Sequence, residues 1–270
     1  MHKKFDITLM KKIGREIREI ALNLNYISKT SHLGGVLSMS DLIAVLYFGI
    51  MNFDRKTYNT KKRDRFILSK GHSCMGVYIV LYLKEIIGLK TLEGYGKNNS
   101  ILMSHISHKV PGVEFSTGSL GHGLPFAVGK ALYAKRNNQK WNVFCLLSDG
   151  ELNEGSNWEA LLFASHHKLN NLTIIIDYNK IQSFGKTNQV INLEPLKEKF
   201  QKLNLFVKEI DGHDIKKIHD VLMINTNKTS KVIIANTIKG YGVDFLENKL
   251  EWHYKSLSSD QLKLALKRLK

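Results

Sequence analysis

Asn142-Val143-Phe144-Cys145-Leu146-Leu147-Ser148 leads without a break into Asp149-Gly150-Glu151-Leu152-Asn153-Glu154-Gly155. An apolar run of this length, rich in β-formers and closed by a turn, predicts a buried strand. The turn after such a strand lies in the crevice beyond the carboxyl end of an α/β sheet, where ligands bind. Ser156-Asn157-Trp158-Glu159 reads as a capping box, which predicts a helix with free N–H groups facing that crevice. About thirty residues beyond Asp149, a second buried run, Leu172-Thr173-Ile174-Ile175-Ile176, ends in Asp177-Tyr178-Asn179. A carboxylate at one strand end, a carboxamide at the next and a helix N-terminus between them suit a hard divalent cation holding a diphosphate. Taken alone, Asp149 reads more simply as a turn or N-cap aspartate. The spacing to Asn179 and a glycine-rich segment upstream favour the metal.

Working outward, Asp6 to Thr30 carries Ile7, Met10, Ile13, Ile17, Ile20, Leu24 and Ile27 on one helical stripe. Ser31-His32-Leu33-Gly34-Gly35 reads as a turn, and Ser40 as the cap of a second helix through Phe48. Phe66-Ile67-Leu68 is a short strand leading to Ser69-Lys70-Gly71-His72 and an apolar helix from Met75 to Ile87. His72 is open there between a helix cap and a ligand contact. Leu89 to Ser104 is turn-rich, and Pro111 to Gly123 holds four glycines, which would let the backbone approach a ligand closely. A helix from Leu124 to Arg136 follows, and the one after the central turn runs to about His167. Pro195 opens a short helix to Leu203, and Leu205 to Ile210 and Val232 to Thr237 read as strands. Asp211-Gly212-His213-Asp214 reads as a turn and N-cap, Lys239-Gly240-Tyr241-Gly242 as a glycine turn, and Ser258-Ser259-Asp260-Gln261 as the cap of a basic terminal helix. His108, His122 and the pair His166-His167 read as structural or surface residues. Strands alternating with helices predict an α/β chain with a mostly parallel sheet. The expectation is one domain over residues 1–270, with 240–270 an irregular extension ending in a helix.

Hydrophobic content of 43% and charged content of 24% are ordinary for a globular chain of 270 residues. The sequence shows no apolar run of membrane-spanning length, and Met1-His2-Lys3-Lys4-Phe5-Asp6 lacks a signal-peptide core, so the expectation is a cytoplasmic protein away from membranes. Cys74 and Cys145 sit in apolar contexts and read as buried free thiols. The net charge of +16 is the unusual quantity. Its lysines are scattered, with no aromatic-basic RNA motif or DNA-reading helix, which argues against nucleic acid. A basic surface facing phosphorylated substrates and an acidic partner is the better reading.

The spacing of Asp149-Gly150 and Asn179 resembles the thiamine-diphosphate motif, and Ser148 to Gly155 resembles the transketolases, specifically the amino-terminal chain of the two-chain kind. Thr117-Gly118-Ser119-Leu120-Gly121 resembles the Thr-Gly-x-Leu-Gly segment of that family. The resemblance covers nearly the whole chain and implies the three-layer α/β/α thiamine-diphosphate-binding fold. It implies Mg²⁺ (or Ca²⁺ or Mn²⁺) held by the Asp149 carboxylate, the Asn179 carboxamide and the Ile181 carbonyl. It implies thiamine diphosphate held by His72, Gly118, Ser119, Leu120, Gly150, Glu151, Glu154, Asn179 and His253, with Glu154 pointing across a subunit interface. His32, His105 and His253 would orient hydroxyls or pass protons, work suited to imidazole near neutral pH. The sequence departs from the family at Ser104-His105-Ile106, where transketolases carry Gly-His-Pro. It also departs at Ser119, where many members have Pro, and at Tyr254, often Gly in relatives.

The reaction implied is transfer of a glycolaldehyde unit from a ketose to an aldose, usually both phosphorylated, as in the pentose phosphate pathway. The resemblance corresponds only to the family's first domain; the carboxylate that protonates the cofactor's aminopyrimidine lies on the second. It therefore implies a separate carboxy-terminal subunit, two of each chain, with the cofactor at an interface. One alternative is another thiamine enzyme, a 2-oxoacid dehydrogenase subunit or a deoxyxylulose-phosphate-synthase-like carboligase. Another is a non-catalytic basic binding protein on the same fold. Thr117 to Gly123 and Trp252-His253 favour transketolase over the first, and Asp149, Asn179 and Glu154 argue against the second.

Overall fold

A computed structural model describes residues 5–269. Its centre is a five-stranded sheet made of β1 (Arg65–Leu68), β2 (Val143–Ser148), β3 (Leu172–Tyr178), β4 (Phe206–Asp211) and β5 (Lys231–Asn236). The order is β1-β2-β3-β5-β4 and every pairing is parallel. The helices are α1 (Ile7–Ser28), α2 (Leu33–Val45), α3 (Cys74–Leu83), α4 (Leu89–Leu92), α5 (Gly123–Arg136), α6 (Gly155–His166), α7 (Thr187–Val190), α8 (Leu196–Lys202), α9 (Ile215–Met223) and α10 (Ser259–Arg268).

Period-two alternation along the strands divides the core between the two faces. Phe144, Leu146, Ile175 and Ile233 pack with α1, α2, α3 and α9, whereas Val143, Cys145, Leu147, Ile174, Ile176 and Ile234 pack with α5, α6 and α8. The three-layer α/β/α expectation therefore holds. Strands covered on both faces read as continuous apolar runs, which is why β2 and β3 stand out in the sequence. Both cysteines are buried and free, as expected.

Several local expectations give way. On α1, Met10, Ile13, Ile17 and Leu24 are buried, but Ile7 and Ile27 at its ends are exposed. Its C-cap Lys29 takes the left-handed conformation at φ 55°. The second helix begins at Leu33, not at Ser40. His32 breaks the chain at φ 71°, and Ser40 is buried mid-helix, donating to Val36 O at 2.9 Å. Gly35 is thus a packing residue rather than a turn residue, because a Cβ there would lie 2.7 Å from Ser73 Oγ. Beyond Val45 the helix widens into a π-helical turn, Leu46–Ile50. Leu33–Ile50 is 18 residues long with mean hydropathy 1.8, long and apolar enough to cross a membrane by length and composition, which the sequence reading did not expect; 83% of it is buried inside the molecule.

The capping box expected at Ser156 does not form. A 3₁₀ turn, Gly150–Asn153, follows Asp149, α6 starts at Gly155, and Ser156 Oγ donates to Gly121 O at 2.7 Å. The Asp214 N-cap and the Ser258–Gln261 capping box form as expected.

Candidate active site

The carboxyl ends of β2, β3 and β5 finish side by side, with Ser148 opposite Asp177 and Asp177 opposite Ala235. A cavity of about 210 Å³ opens there. Asp149, 1% exposed, accepts from Gly150 N at 2.7 Å through Oδ1 and from Lys180 N through Oδ2. Its carboxylate thereby ties the end of β2 to the loop after β3. Asn179 Oδ1 accepts from Ile181 N at 3.2 Å, and its Nδ2 lies 3.4 Å from Asp177 Oδ2. This arrangement fixes which end of the amide is oxygen. Asp149, Asn179 and Ile181 all line the one cavity. A carboxylate, a carboxamide oxygen and a carbonyl, each with a spare lone pair, form an all-oxygen donor set suited to a hard divalent cation.

Four imidazoles converge on the other side of the cavity. The His32 ring centre lies 4.8 Å from that of His253, 5.2 Å from His72 and 5.7 Å from His105. Burial, followed by His105, Lys239 and Lys70, pulls the His32 pKa down to about 4. Burial, then Lys239 and His32, pulls His253 down to about 3. His72 is held well below its ordinary value by burial and Lys70. All three are therefore neutral acceptors at neutral pH. A base whose folded pKa is depressed stabilises the fold above its ordinary pKa and loses that contribution as pH falls through the folded value. The cofactor-free chain is expected to lose stability from about pH 6.5 down toward pH 4 and 3. In the His32→Asn/His253→Asn double variant, urea midpoints taken across that range should show a flatter slope.

Gly118, Leu120, Gly150, His72 and His105 line the cavity as the sequence leads one to expect. Ser119, Glu151 and Glu154 do not. Ser119 is exposed on the loop, and Glu154 is exposed at the start of α6. Glu151 is 0% exposed and turned inward. Its Oε1 accepts from Ser69 Oγ and from Gly121 N at 2.9 Å, and its Oε2 faces Ser148 N at 3.4 Å. The structure thus makes Glu151 a brace between the loop after β1, the glycine-rich loop and the end of β2, and it does not line the cavity. A first-turn acid could not be separated from a ligand-facing one by sequence alone.

Three further charged residues at the site do not stand out in the sequence. Lys239 Nζ, in the turn read only for its glycines, donates to Ile181 O at 2.9 Å and lies 3.2 Å from His253 Nδ1. Burial pushes its pKa down to about 8, with Asp149 opposing. Lys70 and Asp177 form an ion pair with exposures of 1% and 0%. Asp177 also accepts from Ser38 Oγ at 2.6 Å and from Thr237 Oγ1. The available signal was a charge closing each of two apolar strands.

A parallel α/β sheet whose adjoining strand ends offer oxygen donors opposite clustered imidazoles belongs to the class of α/β domains that bind an anionic cofactor at the carboxyl ends of their strands. The family "Transketolase, thiamine diphosphate binding domain" matches residues 10–270, and the chain belongs to it. It is 42% identical over 264 residues to an apulose-4-phosphate transketolase subunit of Actinobacillus succinogenes, covering 97% of this chain and 96% of that one. It is 36% identical over 253 residues to a 6-deoxy-6-sulfo-D-fructose transketolase subunit of a Clostridium species, covering 92% of each. The crystal structure of Campylobacter jejuni transketolase superposes with a TM-score of 0.92 at 28% identity, over 97% of this chain but 43% of that one. The chain therefore matches relatives named as subunits over nine-tenths or more of their length, and the long-chain transketolase of Campylobacter jejuni over less than half. It is a transferase-family chain, and the relatives it matches over nearly their whole length are themselves named as transketolase subunits.

Proposed function

We propose that this chain, acting as one domain over residues 1–270, is the metal- and diphosphate-holding half of a two-subunit transketolase. In this reading Asp149, Asn179 and the Ile181 carbonyl hold Mg²⁺ (or Ca²⁺ or Mn²⁺). The Gly118–Leu120 loop, Gly150, His72, Asn179 and His253 surround thiamine diphosphate, and Lys239 faces the diphosphate charge. Thiamine diphosphate supplies the reactive carbon when bound. His32, His105 and His253 meet the sugar hydroxyls as neutral imidazoles, accepting and returning protons. Exposed Glu154 faces the carboxy-terminal subunit, two of each chain making the assembly.

The observation that carries this is the convergence of the oxygen donor set and the four histidines on one cavity, in a chain matched over nearly its full length by a relative that is itself named as one subunit of a transketolase. The names of the two subunit-length relatives also move the substrate away from the generic pentose phosphates. They are named for a ketose phosphate and a sulfonated ketose. The donor proposed here is a ketose ending in an anionic group, which suits a chain of net charge +16. The test is reconstitution. Neither this chain nor its carboxy-terminal partner alone should transfer a two-carbon unit between ketose and aldose, whereas the mixture should do so in the presence of thiamine diphosphate and Mg²⁺. Full turnover by this chain alone would refute the two-subunit reading.

A further inference from the structure

In the turn Asp211-Gly212-His213-Asp214, helix capping falls to Asp214 alone, which accepts from Lys216 N at 3.0 Å and Lys217 N at 3.1 Å. His213 turns inward, its side chain 8% exposed. Nε2 accepts the N–H of Ile238 at 3.0 Å, and Nδ1 lies 2.9 Å from Asp41 Oδ2. An imidazole that accepts at Nε2 while facing a carboxylate at Nδ1 is the neutral Nδ1–H tautomer, donating to Asp41. Asp41 is itself fixed, buried on α2 in a two-pronged pair with Arg18 of α1. Tyr241 completes the assembly, stacked on the His213 ring at 3.4 Å and lying 4.7 Å beneath the Arg18 guanidinium. The buried brace Arg18–Asp41–His213 thus ends on one backbone N–H, that of the residue before Lys239.

We propose that His213 is a positioning residue for the active site, setting through the Ile238 N–H the backbone from which Lys239 reaches the cavity. Its importance for catalysis rests on the transketolase reading, in which Lys239 faces the diphosphate; its effect on Lys239 does not. Lys239 has little latitude. Its Nζ must meet Ile181 O and His253 Nδ1 together, its flank lies where a Cβ on Gly34 would come within 3.0 Å, and Gly240 N is held by Gly34 O at 3.0 Å. A shift of about 1 Å in such a group is enough to misplace a charge at a reacting centre.

Two variants separate the hydrogen bond from the bulk of the ring. His213→Asn places its amide near the Nδ1 position and keeps Asp41, but falls short of Ile238. His213→Gln reaches the Nε2 position and keeps an acceptor for Ile238. Both lose the ring stacked on Tyr241. The chain, free of cofactor, is acylated with acetic anhydride, and Lys239 labelling is read by peptide mass spectrometry. In the wild type Lys239 is 3% exposed and should label slowly. The Asn variant should label it on the order of tenfold faster, the factor associated with one buried hydrogen bond, and the Gln variant should stay near the wild-type rate. Equal protection in all three proteins overturns the proposal, as does equal exposure in both variants with faster hydrogen exchange throughout α1 and α2.

The wild type supplies a check that needs no variant. A ¹⁵N spectrum should show His213 as the Nδ1–H tautomer, and an Nε2–H tautomer overturns the proposal. In the reconstituted enzyme, His213→Asn should raise the KM for thiamine diphosphate, and should raise it no further in a Lys239→Met background. A wild-type enzyme indifferent to thiamine diphosphate would count against the transketolase reading, while the labelling result would stand.

Discussion

Asp149→Asn is expected to abolish two-carbon transfer by the reconstituted enzyme, by about 10³-fold or more, while leaving the cofactor-free chain as stable as the wild type or more so. The first half follows from removing the one formal negative charge in the oxygen donor set; several kcal/mol of metal stabilisation correspond to roughly three orders of magnitude in rate. The second half follows from the carboxylate's surroundings. Burial, and then Asp177, push the Asp149 pKa up to about 6, so ionised Asp149 is a burden on the empty chain. A carboxyl group with a raised folded pKa contributes stability that is fully present at low pH and lost as pH rises through the folded value. Above about pH 6 the neutral amide escapes that loss and its oxygen can still accept from Gly150 N, a relief set against the Lys180 N–H, which loses its Oδ2 acceptor at a cost of about 1–3 kcal/mol. Initial rates with Mg²⁺ and urea midpoints at pH 5 and 8 check both halves. A rate within tenfold of wild type would mean that the ion is held elsewhere.

Lys70→Ala should carry a large stability cost. Lys70 and Asp177 are both buried, and removing one partner leaves a charge without water or counter-ion, a loss of roughly 3–5 kcal/mol. Burial alone would raise the Asp177 pKa, but Lys70 and the hydroxyls of Ser38 and Thr237 more than offset it and hold the carboxyl below the usual range. With Lys70 gone the pKa should move upward, so the deficit should shrink as pH falls and the carboxyl protonates. The Lys70→Met/Asp177→Leu double variant should recover much of the loss, since neither charge then remains buried. Chemical denaturation of the three proteins at pH 4.5 and 7.5 checks both expectations. A Lys70→Ala deficit that is small or independent of pH would show that the ion pair does not carry this stability.

The parts of the molecule legible in the sequence were those decided by burial on both sides. The Val143–Ser148 and Leu172–Ile176 runs announce central parallel strands, and strand ends fix where Asp149 and Asn179 must lie. Helix starts were less legible, because a serine before an apolar run looks the same whether it caps a helix or sits inside one. Ser40 satisfies its hydroxyl on Val36 O within the helix, and Ser38 donates across the sheet end to Asp177. Ser156 is claimed by Gly121 O, a partner 35 residues away. Lys239 was overlooked because its partners, Ile181 O and His253, come from loops that meet only once the sheet is assembled.

The inward-facing carboxylate of Glu151 has a consequence for anyone reshaping this enzyme's sugar preference. Ser69 in the loop after β1, Gly121 in the glycine-rich loop and Ser148 at the end of β2 all meet that one side chain. Transplanting the glycine-rich loop from a relative, without the segments that flank β1 and β2, would break a shared clasp rather than exchange an independent module. Grafts should travel as a set of three.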